Sequence, residues 1–157
     1  MIDFGSLINI FNLYSNTYSV KMASRNILIA TKSLRNVSAH NSCLIDDLSR
    51  QFSKDKRHID NSIIKYAKEI GKFNNKQIDS HKNKTFVYTV LCLLYLFDKF
   101  CSKKSKDRQY KKLYNLFHIE NPIFKDTRYI SSSTILYSTF KFLDTIITNN
   151  YNKYCNK

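Results

Sequence analysis

The sequence predicts a single all-α domain of five or six helices. The chain has 157 residues but only 2 Gly and 1 Pro, which are too few turn residues for an all-β fold. It is 43% hydrophobic, enough to bury a core. Its apolar residues recur at helical spacing, with polar stretches between the runs. Because no flexible linker or internal repeat divides the chain, residues 1–157 are expected to form one domain.

Two helices are predicted in the N-terminal part of the chain. Apolar residues at i, i+4 and i+7 predict an amphipathic helix over residues 4–20. A second, largely buried helix is predicted over residues 22–34. After it, Asn36 and Ser38 are good N-cap residues, so a new helix can begin there. Alternatively, one helix continues through this segment, and the sequence leaves both arrangements open.

The middle of the chain predicts two more helices. Residues 63–70 have helical spacing, and Gly71 is a stop signal. The polar stretches 50–60 and 74–83 are expected to be connections. The strongest predicted helix spans residues 85–100 and is apolar on most sides, so it should lie at the centre of the core.

The C-terminal part predicts two helices separated by Pro122. The first begins with a basic run over residues 102–112 and continues into an apolar stripe. The second starts near the serine caps at 131–133 and includes Ile147. The polar tail from Thr148 onwards is expected to fray.

The charge of the chain predicts a polyanionic partner. Lys and Arg number 26 against 12 acidic residues, a formal net charge of +14. Such a charge repels itself in a compact body, and RNA or DNA would relieve the repulsion. The alternative is a generally basic, soluble surface. The best candidates for tracking an RNA backbone lie in the basic run, together with tyrosines for base stacking: Lys103, Lys104, Lys106, Arg108, Lys111, Lys112, Tyr110 and Tyr114. That run is otherwise read as a solvated face.

The cysteines and histidines predict no metal site and no cofactor. None of the four cysteines forms a C-x-x-C pair, so a zinc site is not expected. His58 and His81 lie in polar stretches and are expected to be solvated, whereas His118 is expected to end a helix. Asp46 and Asp47 form a carboxylate pair that nothing nearby completes.

The N-terminus and the apolar runs predict a cytoplasmic protein that does not enter a membrane. Asp3, Gly5 and Asn9 interrupt any signal-peptide core. The cysteine usage fits a reducing compartment. The longest apolar run, residues 86–97, is shorter than the roughly 20 residues that a bilayer span needs.

Arg35, Asn36 and His40 are the candidate catalytic residues. A permanent cation, an amide and an imidazole within six positions can hold a phosphodiester and move a proton on it. The same residues could instead cap and bridge helices. By spacing alone this signal is weak, because such pairs occur by chance.

The surrounding residues strengthen the interpretation through a family resemblance. Phe4-Gly5-Ser6-Leu7, followed by Asn12-Leu13, resembles the FG(T/S)L…NL element of the Abi-like abortive-infection proteins. Residues 34–42, LRNVSAHNS, resemble that family's LRN-x-x-AH-x-S signature, a form of the arginine-histidine motif of the HEPN superfamily. Both elements lie within residues 4–42, and the rest of the chain matches only in helical character.

The resemblance implies a fold, an activity and an assembly. HEPN domains are all-α bundles, and many are metal-independent ribonucleases in phage defence and toxin–antitoxin systems. Their active site is commonly composite, with motifs from two subunits, which implies a homodimer here. By matching positions, Arg35 and His40 carry over as catalytic residues, with Asn36 beside them.

Two features depart from the family pattern. Cys43 stands where the family often has an arginine, and Arg25 or Arg50 could take its place. Longer members carry a helical half before the FG-x-L element. The chain is therefore expected to be a truncated homologue, the product of a split gene, or a compact version that assembles with a partner.

Three functions follow from these observations. The first is a HEPN-type endoribonuclease in bacterial abortive infection. The second is a non-catalytic RNA-binding protein on the same scaffold, held by a structured non-coding RNA. The third is a defence-system subunit whose motif is inactive without a partner chain.

Overall fold

The computed structural model describes residues 4–19, 23–40, 59–118 and 133–155, and it confirms the all-α prediction. These residues form seven helices, one more than the highest number expected from the sequence. The helices are α1 (Phe4–Thr17), α2 (Arg25–Ala39), α3 (Asn61–Gly71), α4 (Asn75–His81), α5 (Thr85–Phe100), α6 (Lys103–His118) and α7 (Thr134–Cys155).

The additional helix is α4, which folds in a polar stretch that was expected to be a connection. A capping box begins it: the Asn74 side chain accepts from the Gln77 backbone N–H at 2.9 Å, and the Gln77 side chain accepts from the Asn74 N–H at 3.0 Å. Ile78 then anchors this helix in the core at 3% exposure. Two satisfied donors and one buried apolar residue are sufficient for a helix this short.

The C-terminal helix also differs from expectation, because α7 does not fray at Thr148 but continues to Cys155. Its last turns pack on α6. Asn150 is fully buried, the Tyr151 ring stacks on Tyr114 at 4.1 Å, and Tyr154 stacks on Tyr110 at 5.6 Å. Tyrosine rings thus supply the apolar surface that the polar composition of this segment conceals.

The core lies around α5, as the sequence predicted. One side of α5 packs on α2 and another on α3, while α7 packs on α3 and α6, and α1 covers α2. Val87, Leu91 and Cys92 of α5 are 0 to 3% exposed. Each such apolar side chain contributes about 1.5–3 kcal/mol through burial. Among the described helices, none is both long and apolar enough to cross a membrane.

A buried polar network joins four helices around one carboxylate. Asp98 of α5 accepts hydrogen bonds from the hydroxyls of Tyr66 of α3 at 2.9 Å and Tyr110 of α6 at 2.7 Å. Asn150 of α7 donates from Nδ2 to the Tyr66 hydroxyl at 3.0 Å. Burial is the main cause that raises the pKa of both tyrosines above the usual value, and the Asp98 charge adds to it.

Candidate phosphodiester site on α2

The helix that carries the motif is fixed at its start by a cap and along its length by burial. Ser24 accepts from the Ile27 backbone N–H at 3.4 Å as the N-cap of α2. Ile27 and Ala30 are 1% and 0% exposed and face the core. Burial of this face holds the opposite side of α2, and its C-terminal end, towards solvent.

The motif lies at the end of one continuous helix. Of the two arrangements that the sequence left open, α2 continues through Arg35 and Asn36 and ends at Ala39. His40 is the C-cap residue, with φ −94° and ψ 13°, and its backbone N–H donates to the Asn36 carbonyl at 3.0 Å. No helix begins at Asn36 or Ser38.

The three motif residues form a small polar surface. Arg35 Nη1 donates to Asn36 Oδ1 at 3.2 Å. Asn36 and His40 are separated by four residues, so they share one face of the last turn. Arg35 and His40 are exposed and Asn36 is half-buried. Because the Asn36 contact uses one of the five guanidinium N–H groups, the others can bind an anion.

Arg35 also lines a groove that the sequence did not predict. Arg35 and Ser38 are among the residues that line a mostly apolar cavity of about 390 Å³ between α2, α5, α6 and α7. Three phenylalanine rings are among its lining side chains: Phe86, Phe117 and Phe140. A single cation thus adjoins a wall of aromatic and aliphatic side chains. Only the packing of four helices creates this groove, so no local pattern in the sequence could reveal it.

Arg25, one of the two expected substitutes for the family's missing arginine, is not at the site. Arg25 begins α2, ten residues before Arg35, which places it about 15 Å away along the helix axis. It is exposed at the opposite end of the helix. Cys43 and Arg50 lie outside the described residues.

The basic run forms an exposed face on α6. Lys104, Arg108 and Lys111 recur at spacings of four and three residues and share that face, with Lys112 beside them. Lys103, the first residue of α6, is also exposed. Such a row of cations can follow a phosphate backbone.

Tyr110 and Lys106, also predicted to bind RNA, are not exposed, unlike the other lysines and the arginine of the basic run. Tyr110 is fully buried, where its hydroxyl donates to Asp98 and its ring stacks on Tyr154, so its predicted role in stacking on RNA bases is wrong. Lys106 is half-buried, with its Nζ 5.4 Å from the centre of the Tyr154 ring. Tyr114, considered with them, stacks between His118 and Tyr151 at 4.2 and 4.1 Å.

The other described histidines lie away from the motif. His81 was expected to be solvated, but it is 8% exposed and stacks on Phe142 at 4.5 Å. Its Nδ1 lies 3.0 Å from the Gln77 carbonyl, and burial lowers its pKa. His118 does end a helix, with its Nδ1 3.4 Å from Asp144. His58, Asp46 and Asp47 lie outside the described residues.

The described residues show no metal-binding cluster: nowhere among them do three or more His, Cys, Asp or Glu side chains meet. No protein-family model, no curated protein and no solved structure matches this chain.

Proposed function

We propose that this chain is a metal-independent endoribonuclease of the HEPN type that cleaves RNA at a composite site formed by two copies of Arg35, Asn36 and His40. The observation that carries the proposal is the arrangement at the end of α2. A guanidinium contacts an amide at 3.2 Å, and an exposed imidazole follows one turn later on the same helix end. The LRN-x-x-AH resemblance supports the same assignment.

RNA supplies its own nucleophile for this reaction. A neutral imidazole takes the proton of the 2′-hydroxyl, and the resulting oxygen attacks the adjacent phosphorus. Arg35 binds the non-bridging oxygens as they gain charge. The bond from phosphorus to the 5′-oxygen breaks, and a protonated imidazole gives its proton to that oxygen. The products are a 2′,3′-cyclic phosphate and a 5′-hydroxyl, and each proton transfer contributes about 10²–10⁴-fold to the rate.

The need for both a base and an acid is the reason for a second copy. Each motif contains one imidazole, His40, so one copy supplies the base and the other supplies the acid. The exposed position of His40 at a helix end leaves it accessible to a partner. The resemblance further suggests a role in bacterial phage defence, in the cytoplasm, with RNA as substrate.

The test is cleavage of a mixed-sequence RNA in EDTA, with the product ends identified. His40→Ala and Arg35→Ala should each lose the cyclic-phosphate products by at least about 100-fold. Matched controls are His118→Ala, an exposed histidine at another helix end, and Arg25→Ala, an exposed arginine at the opposite end of α2. Both controls should cleave like the native chain. Circular dichroism should show that all four variants fold.

Two results would contradict the proposal. Equal cleavage by the native chain and the two motif variants would remove Arg35 and His40 from the reaction. Absence of cleavage by the folded native dimer, with RNA binding retained, would favour the second candidate function.

That second candidate is a non-catalytic RNA-binding protein, possible because the exposed cations of α6 lie on a different helix from the motif. Under this alternative, RNA affinity should fall steeply with salt concentration. Lys104→Gln combined with Arg108→Gln should weaken RNA binding and reduce the slope of log affinity against log salt concentration by about 2. Arg35→Ala should change the affinity and the slope by no more than the loss of one phosphate contact.

A further inference from the structure

The helix α1 exposes an apolar surface to solvent. Five large side chains on it or immediately after it are half exposed or more: Leu7 at 50%, Ile10 at 51%, Leu13 at 69%, Tyr14 at 50% and Tyr18 at 63%. We call these five residues the α1 stripe. Their spacings of three, four and seven residues place them along one side of the helix.

The side of α1 that is turned inwards also carries apolar side chains, so apolar residues lie on both sides of this helix. Ile8 is buried there at 6% exposure, and Phe11, Asn12 and Ser15 are partly buried. A surface helix normally buries its apolar face and presents polar side chains to water. This helix buries Ile8 and yet presents five large apolar side chains to water, which indicates that its outer face has a partner of its own.

The second observation is charge. Residues 4–18 contain no Lys, Arg, Asp, Glu or His, although the chain has a net charge of +14. The other six described helices each carry charged side chains. RNA or an anionic lipid surface would be bound by cations, which the α1 stripe lacks. Two copies of a strongly basic chain repel each other, and the repulsion is smallest where uncharged surfaces meet.

The size of the stripe fits the core of a protein interface. With roughly 150 Å² for each large apolar side chain, the exposed fractions give on the order of 400 Å². That is about half of the ~800 Å² that each partner contributes to a standard interface. Polar neighbours such as Asn9 and Asn16, which are exposed on α1, can supply the rim.

We propose that the α1 stripe is the surface on which a second copy of this chain docks. This proposal rests on the proposed function, because the composite site is what requires a second copy of the motif. Because α1 packs directly on α2, the docking surface and the motif lie on neighbouring helices. A dimer built on uncharged surfaces should strengthen with added sodium chloride, since salt screens the repulsion between the two basic bodies. RNA binding should show the opposite dependence.

The test is sedimentation velocity of the full chain over a concentration series, at low and at high salt. The native chain should dimerise, more tightly at high salt. Ile10→Lys and Leu13→Lys should each raise the dimer dissociation constant at least about tenfold, because each dimer loses two apolar contacts and gains two buried charges. Leu13→Ser, which adds no charge, should weaken the dimer less. The matched control is Leu116→Lys, since Leu116 is 51% exposed on α6.

Unchanged dimerisation in both lysine variants would overturn the proposal, as would a native chain that stays monomeric at both salt concentrations. Equal weakening by Leu116→Lys would also overturn it, because charge alone would then explain the effect. Product-end analysis separates this proposal from the proposed function. If the α1 variants become monomeric yet cleave RNA undiminished, the docking surface stands and the composite site fails. If they stay dimeric while His40→Ala is inactive, the ribonuclease stands and the docking surface fails.

Discussion

Replacing Tyr110 by phenylalanine removes one hydroxyl from the Asp98 network and leaves the ring in place. The lost hydrogen bond is 2.7 Å long and reaches a carboxylate, from a side chain that is fully buried. Hydrogen bonds to charged groups contribute about 1.5–3 kcal/mol. The ring keeps its contact with Tyr154. We therefore expect Tyr110→Phe to lower the free energy of unfolding by about 2 kcal/mol at neutral pH.

The same substitution should be less harmful in alkali. Burial, with the nearby Tyr66 and Asp98, raises the pKa of Tyr110 in the folded state. Above about pH 10 the unfolded chain loses the proton of this tyrosine and the folded chain keeps it. The native protein thus loses about 1.4 kcal/mol of stability per pH unit from Tyr110 alone. Phenylalanine has no such loss, so the difference should vanish near about pH 11.5.

Urea unfolding followed by circular dichroism measures this difference. Native chain and variant are compared at neutral pH and in steps up to about pH 11. The matched control is Tyr137→Phe, since Tyr137 is 50% exposed. It should change stability by less than about 0.5 kcal/mol at every pH. A Tyr110→Phe difference that stays constant with pH would refute the coupling between folding and protonation. If Tyr110→Phe lowers the free energy of unfolding at neutral pH by no more than Tyr137→Phe does, the strength assigned to the hydrogen bond with Asp98 is refuted.

Three further predictions concern stability and use the same measurement. Burial lowers the pKa of His81 from its usual 6.5, so below about pH 6.5 the unfolded chain binds a proton that the folded chain does not. The free energy of unfolding should therefore fall as the pH drops below about 6.5, and His81→Phe should remove that dependence. An acid profile that is the same in the variant and the native chain would contradict this prediction. Lys72, the C-cap residue of α3, has φ 53° in the left-handed region, which glycine adopts more easily, so Lys72→Gly should stabilise the protein by about 1 kcal/mol. Lys68→Gly inside α3 should instead destabilise it by about 1 kcal/mol. Changes of the same sign in both variants would refute the left-handed conformation of Lys72. Gly71→Ala should destabilise by about 1–3 kcal/mol despite alanine's better helix propensity, since a Cβ there would overlap the Phe73 ring, and a gain in stability would show that the ring yields freely.

The sequence was most informative where one local signal dominated. The predominantly apolar segment over residues 85–100 predicted α5 with its observed bounds. In α6, Tyr110 belongs to two patterns at once, since its lysine neighbours favour an RNA-stacking role and its apolar neighbours favour the core. Its spacing to Leu113 and Phe117, at i+3 and i+7, already indicated the buried stripe. At this position periodicity was the correct guide and the neighbouring charge was not, because Tyr110 is fully buried.

Other features depended on contacts between distant parts of the chain. Tyr66 and Asp98 are 32 residues apart, and Tyr66 and Asn150 are 84 apart. No spacing rule connects such residues. The sequence did name Arg35, Asn36 and His40 as one candidate site, but it left the local backbone open. In the structure α2 continues through Arg35 and Asn36 and ends at Ala39.

The Asp98 network fixes how four helices are aligned along their axes. Sliding any of α3, α5, α6 or α7 by one turn, 5.4 Å, would break a hydrogen bond and leave a buried polar group unpaired. Within the described chain, no side-chain hydrogen bond joins α2 to another helix; the contacts that hold it are largely apolar. Apolar contacts are weakly directional. The position of α2 is therefore set by how its buried side chains fit the core, so a change of volume at Ile27 or Ala30 would move the motif together with the helix.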